Sequence, residues 1–247
     1  MIPEIYIFVA WNVAVRVNVI RTMTETVSAP SAQRLRVDIF SDIACPWCFI
    51  GKRRFEKGLQ DSGLQDSVDV VWHAYQLDPS LPEKFEGDEL EYLVKTKGMD
   101  PAQLEVMLKH VTEQAESEGL NYDFENLKVA NSFTALRVLE FAKQQGMGNE
   151  MKEALLSAHF EQGLNTGDKQ TLLQLTEKLG LDAVQLEADL AAGKYTDEVN
   201  NDIAQARQIG VTGVPFFILQ GKYGISGAQP AELFANALSQ VHAEINA

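Results

Sequence analysis

Ser41-Asp42-Ile43-Ala44-Cys45-Pro46-Trp47-Cys48-Phe49-Ile50-Gly51-Lys52-Arg53-Arg54-Phe55-Glu56 joins two hydrophobic periods. Upstream, Leu35–Phe40 alternates and is rich in β-branched residues, which predicts a strand. Downstream, Phe49, Ile50, Phe55 and Leu59 recur at helical spacing, which predicts a helix from Pro46 to about Gln60. Pro46 suits the first helical position, where a missing N–H costs nothing. Cys45 and Cys48 therefore stand at a strand-to-helix junction, one turn apart.

That position has a chemical consequence. A thiolate, not a thiol, attacks disulfides. A helix N-terminus offers unpaired N–H groups and roughly half a positive charge. Cys45 is thus expected to be an exposed nucleophilic thiolate. Cys48 is expected to be the more buried resolving thiol, close enough to attack a mixed disulfide on Cys45. The chain has only 2 cysteines, whereas a structural disulfide framework uses more, at longer separations. Closing so short a loop also removes little chain entropy. A structural zinc site needs about four ligands. There is no third cysteine, and His73, His110, His159 and His242 lack ligand spacing. No metal is expected, and the pair's own redox-active disulfide takes the place of a cofactor.

Working outward, Val68–Leu77 reads as a second strand, ended by Asp78-Pro79. Helical periods follow over 88–97, 101–118, 131–145, 149–162, 168–179 and 183–192, punctuated by glycines. A helix over 197–209 stops at Gly210. Val211–Pro215 forms a turn, Phe216–Leu219 and Tyr223–Ser226 form a hairpin, and a last helix covers 231–243. Without residues 81–196 the order is βαβαββα. The first two strands, joined through a helix, are expected to be parallel, and the last two antiparallel. The fold class is therefore α/β, a thioredoxin-like fold with a large all-helical insertion. Residues 35–80 and 197–247 form the thioredoxin-like domain, 81–196 the insertion, and 1–34 a leader.

Val214-Pro215 lies where this strand order brings a loop beside the cysteines. A cis bond is expected there, leaving Val214 backbone groups free to pair with an extended substrate peptide. Pro46, Trp47, Val214 and Pro215 are accordingly the site-supporting residues around Cys45 and Cys48.

The stretch from Ser41 to Glu56, with Gly210-Val211-Thr212-Gly213-Val214-Pro215-Phe216-Phe217 and Asn131-Ser132-Phe133-Thr134-Ala135-Leu136-Arg137, resembles the DsbA-like oxidoreductase family, FrnE subgroup. The likeness covers about residues 35 to 242. It implies a thioredoxin fold with an inserted helical domain, and thiol–disulfide exchange or isomerisation on cysteine-containing protein substrates. A thiol reductant or oxidant partner is implied with it, and glutathione is a candidate co-substrate. The same superfamily includes 2-hydroxychromene-2-carboxylate isomerases and kappa-class glutathione transferases, which generally carry serine where Cys45 stands. Having both cysteines moves this chain toward the redox branch. The family often has histidine where Leu136 sits. Two rival readings stay open: a glutathione-dependent isomerase or transferase of small aromatic compounds, and a chaperone-like binding protein.

Other residues carry blander readings. Trp47 either faces substrate or packs on the insertion. Asp42 reads first as a turn residue, and His73 as a satisfied strand histidine. Lys52, Arg53, Arg54 and Lys57 read as a solvated helix face, with Lys52 acting only weakly on Cys45. His159 and Phe160 lie on an insertion helix placed to cover the site, and neither reads as catalytic.

The net charge of −14 argues against nucleic-acid binding, which needs a basic footprint. Ile5–Val15 is apolar except for Asn12, too short for a span of roughly 20 residues, and it lacks the preceding basic residues of a secretory signal. Met23 reads as the natural start, with 1–22 upstream of it. A cytoplasmic location without membrane attachment is then expected, and the alternative is export with 1–22 as signal.

Overall fold

The computed structural model describes residues 33–82, 85 and 89–247. The expectations for residues 1–32, namely the apolar run, the start at Met23 and the signal alternative, lie outside the described residues.

Four strands form one sheet, β1 (Leu35–Ser41), β2 (Val68–Ala74), β3 (Phe216–Leu219) and β4 (Tyr223–Ser226), in the order β2-β1-β3-β4. β1 pairs parallel to β2 and antiparallel to β3, and β3 pairs antiparallel to β4. The expected βαβαββα order and both strand orientations are present. β2 ends at Ala74, not Leu77, because its last partner on β1 is Ser41, opposite Ala74. Beyond that pair the Tyr75 N–H still donates to the Ser41 carbonyl at 3.3 Å, and no further ladder pair follows.

Helix α1 (Pro46–Ser62) links β1 to β2, and α9 (Ala231–Ile245) packs on α1. Where they meet, Gly58 lies so close that a Cβ there would fall 2.6 Å from both the Ala231 carbonyl oxygen and Phe234 Cβ. The inserted segment holds α2 (Glu89–Glu91), a π-helical stretch Tyr92–Thr96, and α3 (Pro101–Ser117) to α7 (Ala183–Ala191) through α4 (Phe133–Gln144), α5 (Gly148–Phe160) and α6 (Lys169–Lys178). Helix α8 (Thr196–Gln208) returns the chain to the sheet. The single helix expected over 88–97 is therefore a short α-turn running into a wider one. Asp100, Asp168 and Asp182 cap α3, α6 and α7 by accepting from the N–H groups of Gln103, Thr171 and Gln185, the preferred N-cap chemistry.

One buried cluster runs from the sheet (Val37, Ile39, Trp72, Phe217) into the insertion (Leu136, Leu139, Leu155, Leu172). A second joins Phe49 and Ile50 of α1 to Val111, Leu156 and Phe160. The insertion is thus packed on the start of α1, where the cysteines are. Among the described residues, no helix is long and apolar enough to cross a membrane.

Candidate active site

Cys45 is the N-cap of α1, with φ −102° and ψ 111°, and Pro46 follows at the first helical position. The Cys48 N–H donates to the Cys45 carbonyl at 3.0 Å, closing the first turn. Both cysteines are free thiols. The Val214–Pro215 bond is cis as expected, and the Cys45 thiol donates to the Val214 carbonyl oxygen at 3.4 Å. The Pro215 ring lies directly over α1: a Cβ on Gly51 would come within 2.7 Å of Pro215 Cγ. The structure thus brings Cys45, Pro46, Trp47, Cys48, Val214 and Pro215 together.

One expectation for the cysteines needs correction. Cys45 is not an exposed residue; it is 4% accessible against 1% for Cys48, because the Val214–Pro215 loop closes over it. The adjoining Cys48 sulfur, burial and nearby Asp42 all push the pKa of Cys45 up. Burial opposes ionisation of Cys48 too, but the Cys45 thiol, the Lys152 charge, Ser41 and the Asp42 N–H together lower it. The helix N-terminus favours an anion at either sulfur. The two sulfurs share one labile proton and release the second reluctantly.

Asp42 is buried and serves as the turn residue expected. Its carboxylate accepts from the Leu77 N–H at 2.7 Å and the Ala44 N–H at 3.3 Å. Burial raises its pKa against those bonds and one from Ser132. Trp47 is half-buried, 5.9 Å from the His110 ring, and packs at the edge of the second cluster. Val106 and Met107, on the same helix as His110, are 70% and 41% exposed. Tyr122, which the sequence did not single out, donates its hydroxyl to the Pro46 carbonyl at 2.6 Å. Its ring stacks on Phe160 at 4.9 Å, so Phe160 does help cover the site. Burial and the cysteine sulfurs keep the Tyr122 phenol protonated. His159 is buried, bonded to Thr166 at 3.3 Å, and burial lowers its pKa to about 4. It is a neutral structural residue.

The basic run after Cys48 is not a solvated face, apart from exposed Lys57. Lys52 is buried and pairs with Glu56 at 2.6 Å and Glu153 at 2.7 Å. Arg53 pairs with Glu153, and Arg54 with Glu118 at 2.6 Å and the Ala228 carbonyl at 2.8 Å. These cations fasten α1 to the insertion. Leu136 is fully buried in the main core and makes no polar contribution. His73 is satisfied on both sides, by Asp38 at 2.8 Å and Asp202 at 2.7 Å.

The residue that sequence reasoning missed is Lys152. It is 0% exposed on α5, and its Nζ has no hydrogen-bond partner among the described residues. A signal was present: Lys152, Leu155, Leu156 and His159 fall at helical spacing on one face, so a lysine occupied a core position.

A family model, the DSBA-like thioredoxin domain, matches residues 36–239. The crystal structure of a probable DsbA oxidoreductase from Streptomyces coelicolor is 38% identical, with a TM-score of 0.79, and the match covers 85% of this chain and 91% of that one. YwbO, an uncharacterized protein of Bacillus subtilis, is 27% identical over 208 residues, 83% of this chain and 96% of its own length. A 2-hydroxychromene-2-carboxylate isomerase superposes with a TM-score of 0.65 at 18% identity, over 85% of this chain and 97% of that one. At that identity the likeness is one of fold.

Proposed function

This chain belongs to the DSBA-like thioredoxin family, and on that premise we propose that it exchanges disulfides with cysteine-containing proteins through Cys45 and Cys48. The observation that carries the reading is the pair itself: two thiols one helical turn apart, with Cys45 against the Val214 carbonyl.

In the oxidising direction a substrate thiolate attacks Sγ of Cys45. The new bond joins substrate sulfur to Cys45, the Cys45–Cys48 bond breaks, and its electron pair leaves on Cys48. A second substrate thiolate then attacks the substrate sulfur of the mixed disulfide. Cys45 leaves, the substrate is oxidised by two electrons, and the protein is left as the dithiol. Reduction is the reverse sequence, with Cys48 resolving the mixed disulfide. Isomerisation starts from the dithiol: the Cys45 thiolate attacks a substrate disulfide and frees one substrate thiolate, and a different substrate thiolate then attacks the substrate sulfur of the mixed disulfide and releases Cys45. The exposed Val106 and Met107, one turn before the His110 that meets Trp47, suit an unfolded polypeptide better than a small solute alone. No cofactor beyond the disulfide is needed: in the oxidising direction glutathione disulfide or a partner protein disulfide returns the dithiol to the disulfide, and in the reducing direction two thiols of glutathione or a protein partner return the disulfide to the dithiol.

The test is turnover on a model protein disulfide and a model dithiol, wild type against Cys45→Ser. Exchange that vanishes in the variant supports the proposal. Retention of activity by the serine variant, with tight glutathione binding, turns the reading to a glutathione-dependent isomerase or transferase. Suppression of aggregation that survives loss of both cysteines turns it to a binding protein.

A further inference from the structure

Behind the cysteines, at the contact between α1 and α5, three buried cationic or hydroxyl groups meet two thiols and a carboxylate. Their partners are unequally shared. Lys52 has Glu56 and Glu153; Arg53 also takes Glu153. The Asp42 carboxylate is occupied by the backbone of Ala44 and Leu77. Lys152 Nζ has none of these, lying 5.5 Å over the Trp72 ring with no hydrogen bond among the described residues. Ser41 Oγ is buried as well, and apart from the Cys48 sulfur it has no partner among the described residues. The charges that Lys152 faces are Cys48 first, then Asp42 and Cys45, with Lys52 opposing. A buried ammonium without a counter-charge is costly. With the Asp42 carboxylate taken up by backbone N–H groups, the group left to answer it is the Cys48 sulfur, and only when the disulfide is open.

We infer that Lys152, carried into the site by the helical insertion, is a positioning residue that holds the negative charge on Cys48 and so biases the pair toward oxidising its substrates. This rests on the oxidoreductase reading above. When substrate thiolate attacks Cys45, the electron pair leaves on Cys48 beside the Lys152 ammonium. A leaving thiol of lower pKa departs faster, and a dithiol with a stabilised thiolate makes its disulfide a stronger oxidant. Burial already lowers the Lys152 pKa to about 8, so its proton is sensitive to whether that thiolate exists. By linkage the effect is reciprocal: the open pair must hold the Lys152 proton as firmly as Lys152 holds the thiolate.

The experiment uses the full chain with Lys152→Met and Lys152→Gln, equilibrated in glutathione redox buffers, with thiolate absorbance titrated against pH. Removing the ammonium is expected to move the glutathione equilibrium about tenfold toward protein disulfide, about 30 mV. The first thiolate titration is expected to rise by about one pH unit. A folded variant matching wild type within about twofold in both readouts overturns the assignment. Should neither variant fold, the wild type decides it: the Lys152 Cε NMR shift is titrated in the reduced and oxidised protein. A midpoint about one unit higher in the reduced form is expected, and equal midpoints overturn the inference. If the wild type forms no Cys45–Cys48 disulfide in oxidised glutathione, it is the oxidoreductase reading that fails.

Discussion

The Cys45 sulfur lies 3.4 Å from the carbonyl oxygen of Val214, 169 residues further along the chain. The contact sets the two cysteines apart in role. Cys45 faces the loop that a substrate strand would pair with, whereas Cys48 faces Ser41, Asp42 and Lys152. In the proposed mechanism substrate sulfur therefore bonds to Cys45. Cys48→Ala is expected to accumulate mixed disulfides between Cys45 and a reduced client, seen by non-reducing electrophoresis and intact mass. Cys45→Ala is expected to form none and to lose exchange by roughly 10³-fold, as loss of a nucleophile does. Equal trapping by both variants would contradict the division of labour.

His73 of β2 bridges two carboxylates, which makes its protonation a stability term. Burial opposes its charge, but the bonds to Asp202 and Asp38 outweigh that and raise its pKa from 6.5 to about 9. A raised histidine pKa stabilises the fold fully below the unfolded value and loses that contribution as pH climbs through the folded one. Asp38 works at the other end: burial raises its pKa, but His73 and Arg36 more than reverse this, to about 2. Its contribution is present above the unfolded value near 3.8 and is lost as pH falls toward 2. Stability should be greatest between about pH 4 and 6.5 and decline by about 2–3 kcal/mol toward pH 9. Denaturant unfolding of wild type and His73→Gln across that range checks it. The variant should lack the alkaline decline, and a decline of equal size in both would assign it elsewhere.

The order of elements was legible because each boundary had a local cause. Phe216–Leu219 and Tyr223–Ser226 are alternating runs around Gln220-Gly221-Lys222, and the strands fall there. Cys45 and Cys48 were legible from a change of period at Pro46. What sequence could not show were relations set by distant packing. The carboxylate that pairs with Arg53 is 100 residues away and the one that pairs with Arg54 is 64, so a run of cations read as a wet face. Val68–Leu77 kept its alternation past the point where β1 ran out. The helix N-terminus spoke for a thiolate, but Lys152 is buried behind the pair only through the docking of α5 on α1, which no local pattern records.

That docking can be weighed by removing one of its anchors. Glu153 receives Lys52 at 2.7 Å together with Arg53, and the Lys52 side chain is only 3% exposed. Deleting one partner of a buried pair leaves the other charge desolvated. With Glu153 itself 34% exposed and Glu56 still present, Glu153→Ala should cost about 2 kcal/mol, and salt should change that value little. Lys57→Ala, on the exposed face of the same helix, should stay within about 0.5 kcal/mol. Urea unfolding at low and high salt measures both, and a strongly salt-dependent loss at Glu153 would mean that the pair is wetter than its geometry.

Two glycines of α1 separate stability from function. A Cβ at Gly58 would strike the Ala231 carbonyl and Phe234 Cβ, both at 2.6 Å. Backbone of α9 cannot yield locally, so the two helices must part. Overpacking of this kind costs about 1–3 kcal/mol. A Cβ at Gly51 would instead meet Pro215 Cγ at 2.7 Å, with Ala228 Cβ and Pro215 Cβ at an ordinary 3.5 Å. The Val214–Pro215 loop can lift as a unit, which relieves the clash and moves the Val214 carbonyl away from Cys45. Gly51→Ala should therefore lower exchange turnover by about tenfold or more, as small misplacements of a reacting group do, while losing less stability than Gly58→Ala. Gly58→Ala should keep the turnover of its folded fraction. Thermal unfolding and client oxidation, measured on both variants, decide the matter; if Gly51→Ala turns over normally, the Pro215 contact does not position the site.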